Sequence, residues 1–381
     1  MVDAVRHGMS VRDVAKAFNT SKSTVSRWVR HASGKRLDRV DWTNQPSGQR
    51  TPHNKSAIAS EELILQIRKQ LKETSTLGEY GAEAIRREML RRNIETLPVR
   101  TINNILKRRG LFDGQRRTRR PAPPKGWYLP RVAEARAELD SFDIVQGMVI
   151  QGGHNVEVLN GISLHGGLTY SWTGPRITAK QTVECILSHW KTLGCPDYVQ
   201  FDNDTVFQGP RKLDALGRVV RMALSLGVIP VFAPPRESGF QAMIESYNGR
   251  WQRAVWRRFH WESHRQLASQ SRKYVDATRS RAAIRIAQAP DRWEVPDDWL
   301  PDYQNPEGEV IFLRRLTECG KTTLLGRTFF VSADWPHRLV RAEVRLDDGC
   351  IDFYALRRRD PSYQPLLRSV EYHFPRRPFR E

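Results

Sequence analysis

The chain has 381 residues and carries 62 Lys and Arg against 42 Asp and Glu, a formal charge of +20 with a pI near 10.2. That excess seeks a polyanion, while 39% hydrophobic and 9% aromatic residues exclude a wholly disordered basic tail and suit about two to four packed units. No apolar run reaches the ~18 residues of a spanning helix, since even the stretch from Val219 to Pro234 contains Arg221, so a membrane protein is not expected.

The opening residues, MVDAVRHGMS, lack the apolar run of a signal peptide, and the expected location is the cytoplasm, associated with the nucleoid. Cys185, Cys195, Cys319 and Cys350 form no CxxC or Cys/His cluster and read as reduced thiols. Residues 1–130 hold 27 Lys/Arg and 12 Asp/Glu, the remainder 35 and 30. Polyanion binding is therefore expected mainly in the first third.

Ser10 can cap a helix from Val11 to Phe18, with Val11, Val14, Ala15 and Phe18 on one face. After Asn19 and Thr20, Ser21 caps a second helix that buries Val25, Trp28 and Val29 and turns Lys22, Ser23, Ser26, Arg27 and Arg30 outward. This is the helix-turn-helix plan over residues 1–33, in which Lys22, Ser26, Arg27 and Arg30 are the candidate DNA readers; a helical hairpin of no special purpose is the plainer alternative. Residues 34–56 contain Pro46, Gly48 and Pro52 and read as a linker.

Over 57–112, helices are expected at Glu61–Glu73, Gly81–Asn93 and Val99–Arg109, stopped by Gly110. They suit a second helix-turn-helix or winged-helix-like unit, with Arg100, Thr101 and Asn103 at the start of its reading helix, or else a helical spacer. Residues 113–130 bring Arg116, Arg117, Arg119 and Arg120 into a Pro-rich segment, either a linker lying along phosphates or a solvated one.

From Glu138 the pattern becomes alternating α/β. Strands are expected at AELDSFDIV, Val156–Leu164, Leu168–Trp172, Tyr198–Asp204 and VIPVFAPP, with helices at Ala179–Leu193, Leu213–Leu226 and Gly239 to about Phe259. Asp140 lies in the first strand, with Asp143 as its rival three positions on. Asp202 ends the fourth strand, and Glu245 sits one to two turns into the last helix. Each alone has an ordinary explanation, as an exposed strand residue or Arg partner, a turn former, or a solvated helix residue.

The segments QFDND and ESGFQAMIESYNGRW resemble the integrase catalytic core of bacterial insertion-sequence transposases and retroviral integrases, the Asp-Asp-Glu family on an RNase H-like fold. The resemblance rests on Asp202-Asn203 after an apolar strand, and on Pro234-Pro235, Gly239, Glu245 and Asn248. It implies a multidomain α/β chain: N-terminal helix-turn-helix units, an RNase H-like mixed-sheet core at 131–292, an acidic linker at 293–305, and a C-terminal small β-barrel at 306–381. It implies Asp140, Asp202 and Glu245 as catalytic residues and metal ligands, with Mg²⁺ as cofactor and Mn²⁺ as substitute, since two hard cations held by carboxylates can activate and stabilise the oxygens of phosphodiester transfer.

The implied partners are transposon-end DNA and target DNA, on which the chain acts as a homo-oligomer, with room for accessory transposition proteins. The chain departs from the family at Asp204, which follows Asp-Asn where Gly is common, at Ala137-Glu138-Leu139, which lacks an aromatic before Asp140, and in a longer Asp202-to-Glu245 spacing. A catalytically inactive or domesticated DNA-binding regulator is the alternative reading; a nuclease cutting RNA in hybrids suits the helix-turn-helix units less.

Beyond Glu245, Arg250, Arg253, Arg257 and Arg258 alternate with Trp251, Trp256 and Phe259. Arg253 is the candidate DNA contact near the metals, against the alternative of a solvated basic face on a core helix. Cys319-Gly320-Lys321-Thr322 lacks the leading Gly of a phosphate-binding loop and reads as a hairpin turn, so no ATP site is expected. Asp347-Asp348-Gly349 is a second hairpin signal.

Overall fold

The computed structural model describes residues 1–43, 56–112, 125–210, 212–237, 239–375 and 378–379. The chain divides into two compact units, Met1–Ser60 and Glu61–Glu381.

In the first unit α1 (Val2–Arg6), α2 (Val11–Ala17) and α3 (Lys22–His31) follow one another. Ser10 and Ser21 accept hydrogen bonds from the backbone N–H groups of Asp13 (3.2 Å) and Thr24 (3.1 Å), satisfying donors that the first helical turn leaves open. Val14 and Val25 are fully buried between α2 and α3. The unit does not stop at residue 33: Val40 packs with Val2 and Ala32, and the rings of Trp28 and Trp42 stand 5.8 Å apart. Part of the expected linker is thus structured, because Leu37, Val40 and Trp42 supply apolar area that its polar composition masks.

The second unit begins within α4 (Ile58–Thr74), which is followed by α5 (Ala82–Arg91) and α6 (Val99–Arg108). Ile64, Ile67, Ile85, Met89, Ile102, Ile105 and Leu106 form their common core, as the periodicity predicts. The expected basic segment along phosphates is corrected at its end: Trp127, Tyr128 and Leu129 are buried, leading into α7 (Pro130–Ala133). The four arginines Arg116, Arg117, Arg119 and Arg120 lie outside the described residues.

The core then runs β1 (Leu139–Ile150), β2 (His154–Ser163), β3 (Thr169–Gly174), α8 (Ala179–Leu193), β4 (Tyr198–Phe201), α9 (Thr205–Gln208), α10 (Arg218–Ser225), β5 (Ile229–Phe232), α11 (Ala242–Ala254) and α12 (His264–Ala287). The C-terminal part adds β6 (Glu309–Arg315), β7 (Lys321–Leu324), β8 (Arg327–Phe330), β9 (Leu339–Arg345), β10 (Cys350–Ala355) and β11 (Leu366–Glu371). The sequence pattern predicts no helix at α12. Its buried positions include Ser271 and Ala282 beside Leu267, Tyr274 and Val275, so small and polar residues blur its apolar stripe.

β1, β4 and β5 pair in parallel, and β1, β2 and β3 antiparallel. β6 joins β5 in parallel through Val231↔Ile311 and Phe232↔Phe312, then pairs antiparallel with β9. The result is one nine-stranded sheet in the order β11-β10-β9-β6-β5-β4-β1-β2-β3, with β7-β8 as a separate hairpin.

Where a C-terminal small β-barrel is expected, β6, β9, β10 and β11 continue the core sheet, and β6 carries an unbroken buried run, Val310 to Arg314, that suits an interior strand. The acidic linker is also fastened down. Trp293 exchanges backbone hydrogen bonds with Cys195 (2.7 and 3.3 Å), and Arg221 donates to the Tyr303 carbonyl at 2.6 Å. Gly349 closes the β9–β10 hairpin as expected, whereas Gly320 makes a turn between β6 and β7, strands that lie in different sheets, and not the expected hairpin; both glycines have positive φ. All four cysteines are free, and among the described residues no helix is long and apolar enough to cross a membrane.

Candidate active site and basic surfaces

Parallel pairing of β1 with β4 sets Leu139 against Tyr198, Asp140 against Val199 and Ser141 against Gln200. Continued along the strands, the same register carries Phe142 to Phe201, whose rings stack at 6.3 Å, and Asp143 to Asp202. Residues three apart on a strand face opposite sides of the sheet, so Asp140 and Asp143 cannot serve the same site.

Asp140 faces α8 and is 2% exposed. Arg292 grips it with two hydrogen bonds, 2.9 and 2.7 Å, and the Trp190 indole N–H donates at 3.0 Å. Burial pushes this carboxyl up, but the Arg292 charge and its hydrogen bonds, with His189 and Trp190, outweigh burial and hold it below the ordinary carboxylate range. All of its close partners are internal, so in this structure the residue expected as a ligand stands as a buried ion-pair partner. Nearby His189 is driven down to about 3 by burial, against the pull of Asp140, and stays neutral.

Asp143 faces α11. Its Oδ2 accepts from Asn248 Nδ2 at 2.6 Å, Asn248 Oδ1 accepts from Asn160 at 2.8 Å, and Asn160 Oδ1 accepts from Ser171 at 2.6 Å. Ser171 in turn shares a 2.8 Å hydrogen bond with the Tyr247 hydroxyl. This polar chain ties β1, β2 and β3 to α11 and fixes which way Asp143 points. Burial pushes the Asp143 carboxyl up to about 6, and the charge of Asp202 and, less strongly, Glu245 adds to it, against the Asn248 and Ile144 hydrogen bonds.

Asp202 follows β4 directly. Burial raises its carboxyl, opposed by a 3.0 Å hydrogen bond from the Asp204 N–H and reinforced by the Asp204 charge. Asp204 itself caps α9 through Val206 N–H at 2.8 Å, so this departure from the family pattern has a local structural use. Asn203 ties the ends of the strands together, donating to the Ala233 carbonyl (2.7 Å) and accepting from the buried Arg314 (2.8 Å).

Glu245 is exposed in the first turn of α11, three residues before Asn248 and so on the same side of the helix. The arrangement gathers Asp143, Asp202 and Glu245 by charge, with oxygen donors only, the chemistry a hard divalent cation requires. Among the described residues, no three His, Cys, Asp or Glu side chains already stand close enough to share one ion, so the set fits such an ion in kind and is open in geometry. Sequence reading held Asp143 only as a rival; strand parity against the Asp202 register is the signal that separates it from Asp140.

The candidate DNA readers other than Arg253 lie apart from the carboxylates in sequence. Lys22, Ser26, Arg27 and Arg30 are exposed on α3, and Arg100 is exposed at the start of α6. Arg253 is exposed on α11 and lines a cavity of about 870 Å³ with Arg250, Arg257 and Lys72.

Residues 1–40 match the family model of a homeodomain-like domain. The chain begins with a homeodomain-like unit. Among solved structures, the catalytic core of BIV integrase is similar at 15% identity over 36% of this chain and 81% of that one, with a TM-score of 0.27. The simian T-cell lymphotropic virus intasome in complex with PP2A regulatory subunit B56 gamma is similar at 14% identity over 75% and 91%, TM-score 0.30. The HTLV-2 integrase catalytic core in complex with magnesium follows at 12% over 41% and 86%, TM-score 0.26. No curated protein matches the sequence. Superposition at this level is too weak to bear on chemistry, which this chain's own side chains have to carry.

Proposed function

We propose that this chain is a DNA transposase or integrase that binds the ends of a mobile element, cleaves there, and joins the freed ends to target DNA. What supports the reading is the β1–β4 register, which continued past Ser141 and Gln200 leads Asp143 toward Asp202, and the charges of Asp202 and Glu245 that act on Asp143, in a chain that opens with a homeodomain-like unit. Asp143, Asp202 and Glu245 would hold Mg²⁺, with Mn²⁺ as substitute, and the bound ions would activate the attacking oxygen and stabilise the leaving one.

The protein's own part is to orient. Asn248 holds Asp143, and the Asp204 N–H holds Asp202. Exposed Glu245 is the ligand left to close on the pair. Lys22, Ser26, Arg27 and Arg30 read the element end in the major groove, with Arg100 on the second helical unit and Arg253 on α11 adding phosphate contacts. Two ends and one target call for a homo-oligomer on DNA, working in the cytoplasm on the nucleoid.

The test is strand transfer with Mg²⁺, using pre-cleaved duplexes taken from the DNA that flanks the coding region. Joined product is expected from the unaltered chain and should fall at least a hundredfold, about 2.7 kcal/mol of barrier or more, in Asp143→Asn, Asp202→Asn and Glu245→Gln. Tight, salt-dependent binding of those ends with no joined product would instead mark a non-catalytic DNA-binding regulator.

A further inference from the structure

The cavity beside α11 is walled by two parts of the second unit. One wall is the end of α4 and the loop at 77–80; the other is α11 with α12. Gly78 makes the approach close: a Cβ there would meet Ala254 at 3.4 Å, and its φ of +65° suits glycine. Arg258 fastens the walls by donating to the Lys72, Glu73 and Ser75 carbonyls, and Arg281 by pairing with Glu79. A neighbouring cavity of about 670 Å³ shares Gly78, Glu79, Tyr80, Arg253 and Arg281 and extends to Val99 and Asn103 on α6. One cleft thus runs from the start of α6 to α11.

Its charge is in excess of its internal needs. Arg250, Arg253 and Arg257 form no ion pair among the described residues. In hydrogen bonds Arg250 and Arg253 use Nε, toward carbonyls four residues back (3.4 and 3.1 Å), and Arg257 uses one Nη toward Gln252 (3.3 Å); the Arg250 guanidinium also stands 5.9 Å from the Tyr247 ring centre. The remaining N–H groups are forks of the kind that bind phosphate. Among the described residues, Glu79 is the only carboxylate lining the larger cavity, and it is already shared by Arg87 and Arg281.

We infer that this cleft is a composite clamp for the phosphates of one DNA strand, closed on one side by the second helical unit and on the other by the helix that carries Glu245. The inference rests on the proposed activity for the identity of the polyanion. Arg253 lies eight residues from Glu245, about 12 Å along a helix rising 1.5 Å per residue. At 3.4 Å per nucleotide along a duplex strand, the clamped phosphates fall roughly three to five nucleotides from the reacting end.

The experiment measures binding of the flanking-DNA duplex in EDTA, by fluorescence anisotropy across a salt series. Each lost phosphate contact lowers the slope of log K against log salt by about 0.9. The triple variant Arg250→Ala/Arg253→Ala/Arg257→Ala should therefore flatten it by about 2 to 3, and the matching triple Lys variant should keep it. Single methylphosphonates should weaken binding three to five nucleotides from the end in the unaltered chain and lose that effect in the triple Ala variant. An unchanged slope, or a methylphosphonate effect indifferent to the substitutions, overturns the clamp. Strand transfer by the unaltered chain is measured separately, so failure of the proposed joining activity and failure of the clamp are told apart.

Discussion

Asp140 and Asp143 are the same residue type three positions apart, and their surroundings send them in opposite directions. Asp140→Asn leaves Arg292 charged in a nearly closed site; breaking a buried pair in this way costs about 3–5 kcal/mol, and urea denaturation at pH 7 should show the loss. Since the Asp140 carboxyl is held below its ordinary value of 3.8, its contribution is complete above that pH and disappears as pH falls through the folded-state value. Glu309 behaves in the reverse sense. Burial first, then the charge of Glu343, lift it from 4.5 to about 7, against Arg341 and Arg345, and its Oε1 has no hydrogen-bond partner. Its protonated form suits the fold, so stability falls as pH rises from about 4.5 to 7 and then levels, by at most about 3 kcal/mol. Glu309→Gln should raise the thermal midpoint at pH 8 and leave it nearly unchanged at pH 4.5.

The elements differ in how far the sequence declared them. α2 and α3 are legible because their caps are local: Ser10 and Ser21 each accept from a backbone N–H three residues on, and Thr178 caps α8 in the same way. Ser21→Ala should cost about 1 kcal/mol and weaken binding of end DNA, measured by melting and anisotropy together. β1 was legible as a strand but not in its facing, which depends on a partner 59 residues away, Tyr198 against Leu139. No local pattern states that register. Packing at Phe142 supports it, since its ring stacks on Phe201 of β4 and lies opposite Gly161 of β2. A Cβ at Gly161 would come within 2.4 Å of the Phe142 ring, so Gly161→Ala should destabilise the protein by about 1–3 kcal/mol through overpacking and depress joining by disturbing the Asp143–Asp202 pair. Helix α12 stayed hidden because its contacts run through Ser271 and Ala282, which carry little hydrophobic signal.

At the scale of the whole molecule, the sheet does not respect the boundary that composition suggested near residue 305. Trp127, Tyr128 and Leu129 pack with Leu139 and Val231 of the core and with Ile311, Leu313 and Leu356 of the C-terminal strands. Arg341 and Gln364 donate to the Tyr128 and Trp127 carbonyls at 2.9 Å. Removing residues 306–381 should therefore leave an insoluble or molten core, judged by size-exclusion and near-ultraviolet circular dichroism; a soluble, cooperative core would show that β5 tolerates an open edge. Composition could not reveal this, because an interior strand and the first strand of a separate barrel share the same apolar run.

That shared sheet also has a consequence in time. β5 ends at Phe232 and its neighbour β6 begins at Glu309, so during synthesis the β5 edge waits for 76 intervening residues (233–308) before its partner strand starts to be made. At about 5–20 residues per second the wait is roughly 4–15 s. Over that interval the nascent chain presents unpaired backbone groups of an apolar strand, which makes the period before β6 arrives the moment when a ribosome-bound chaperone has most to protect.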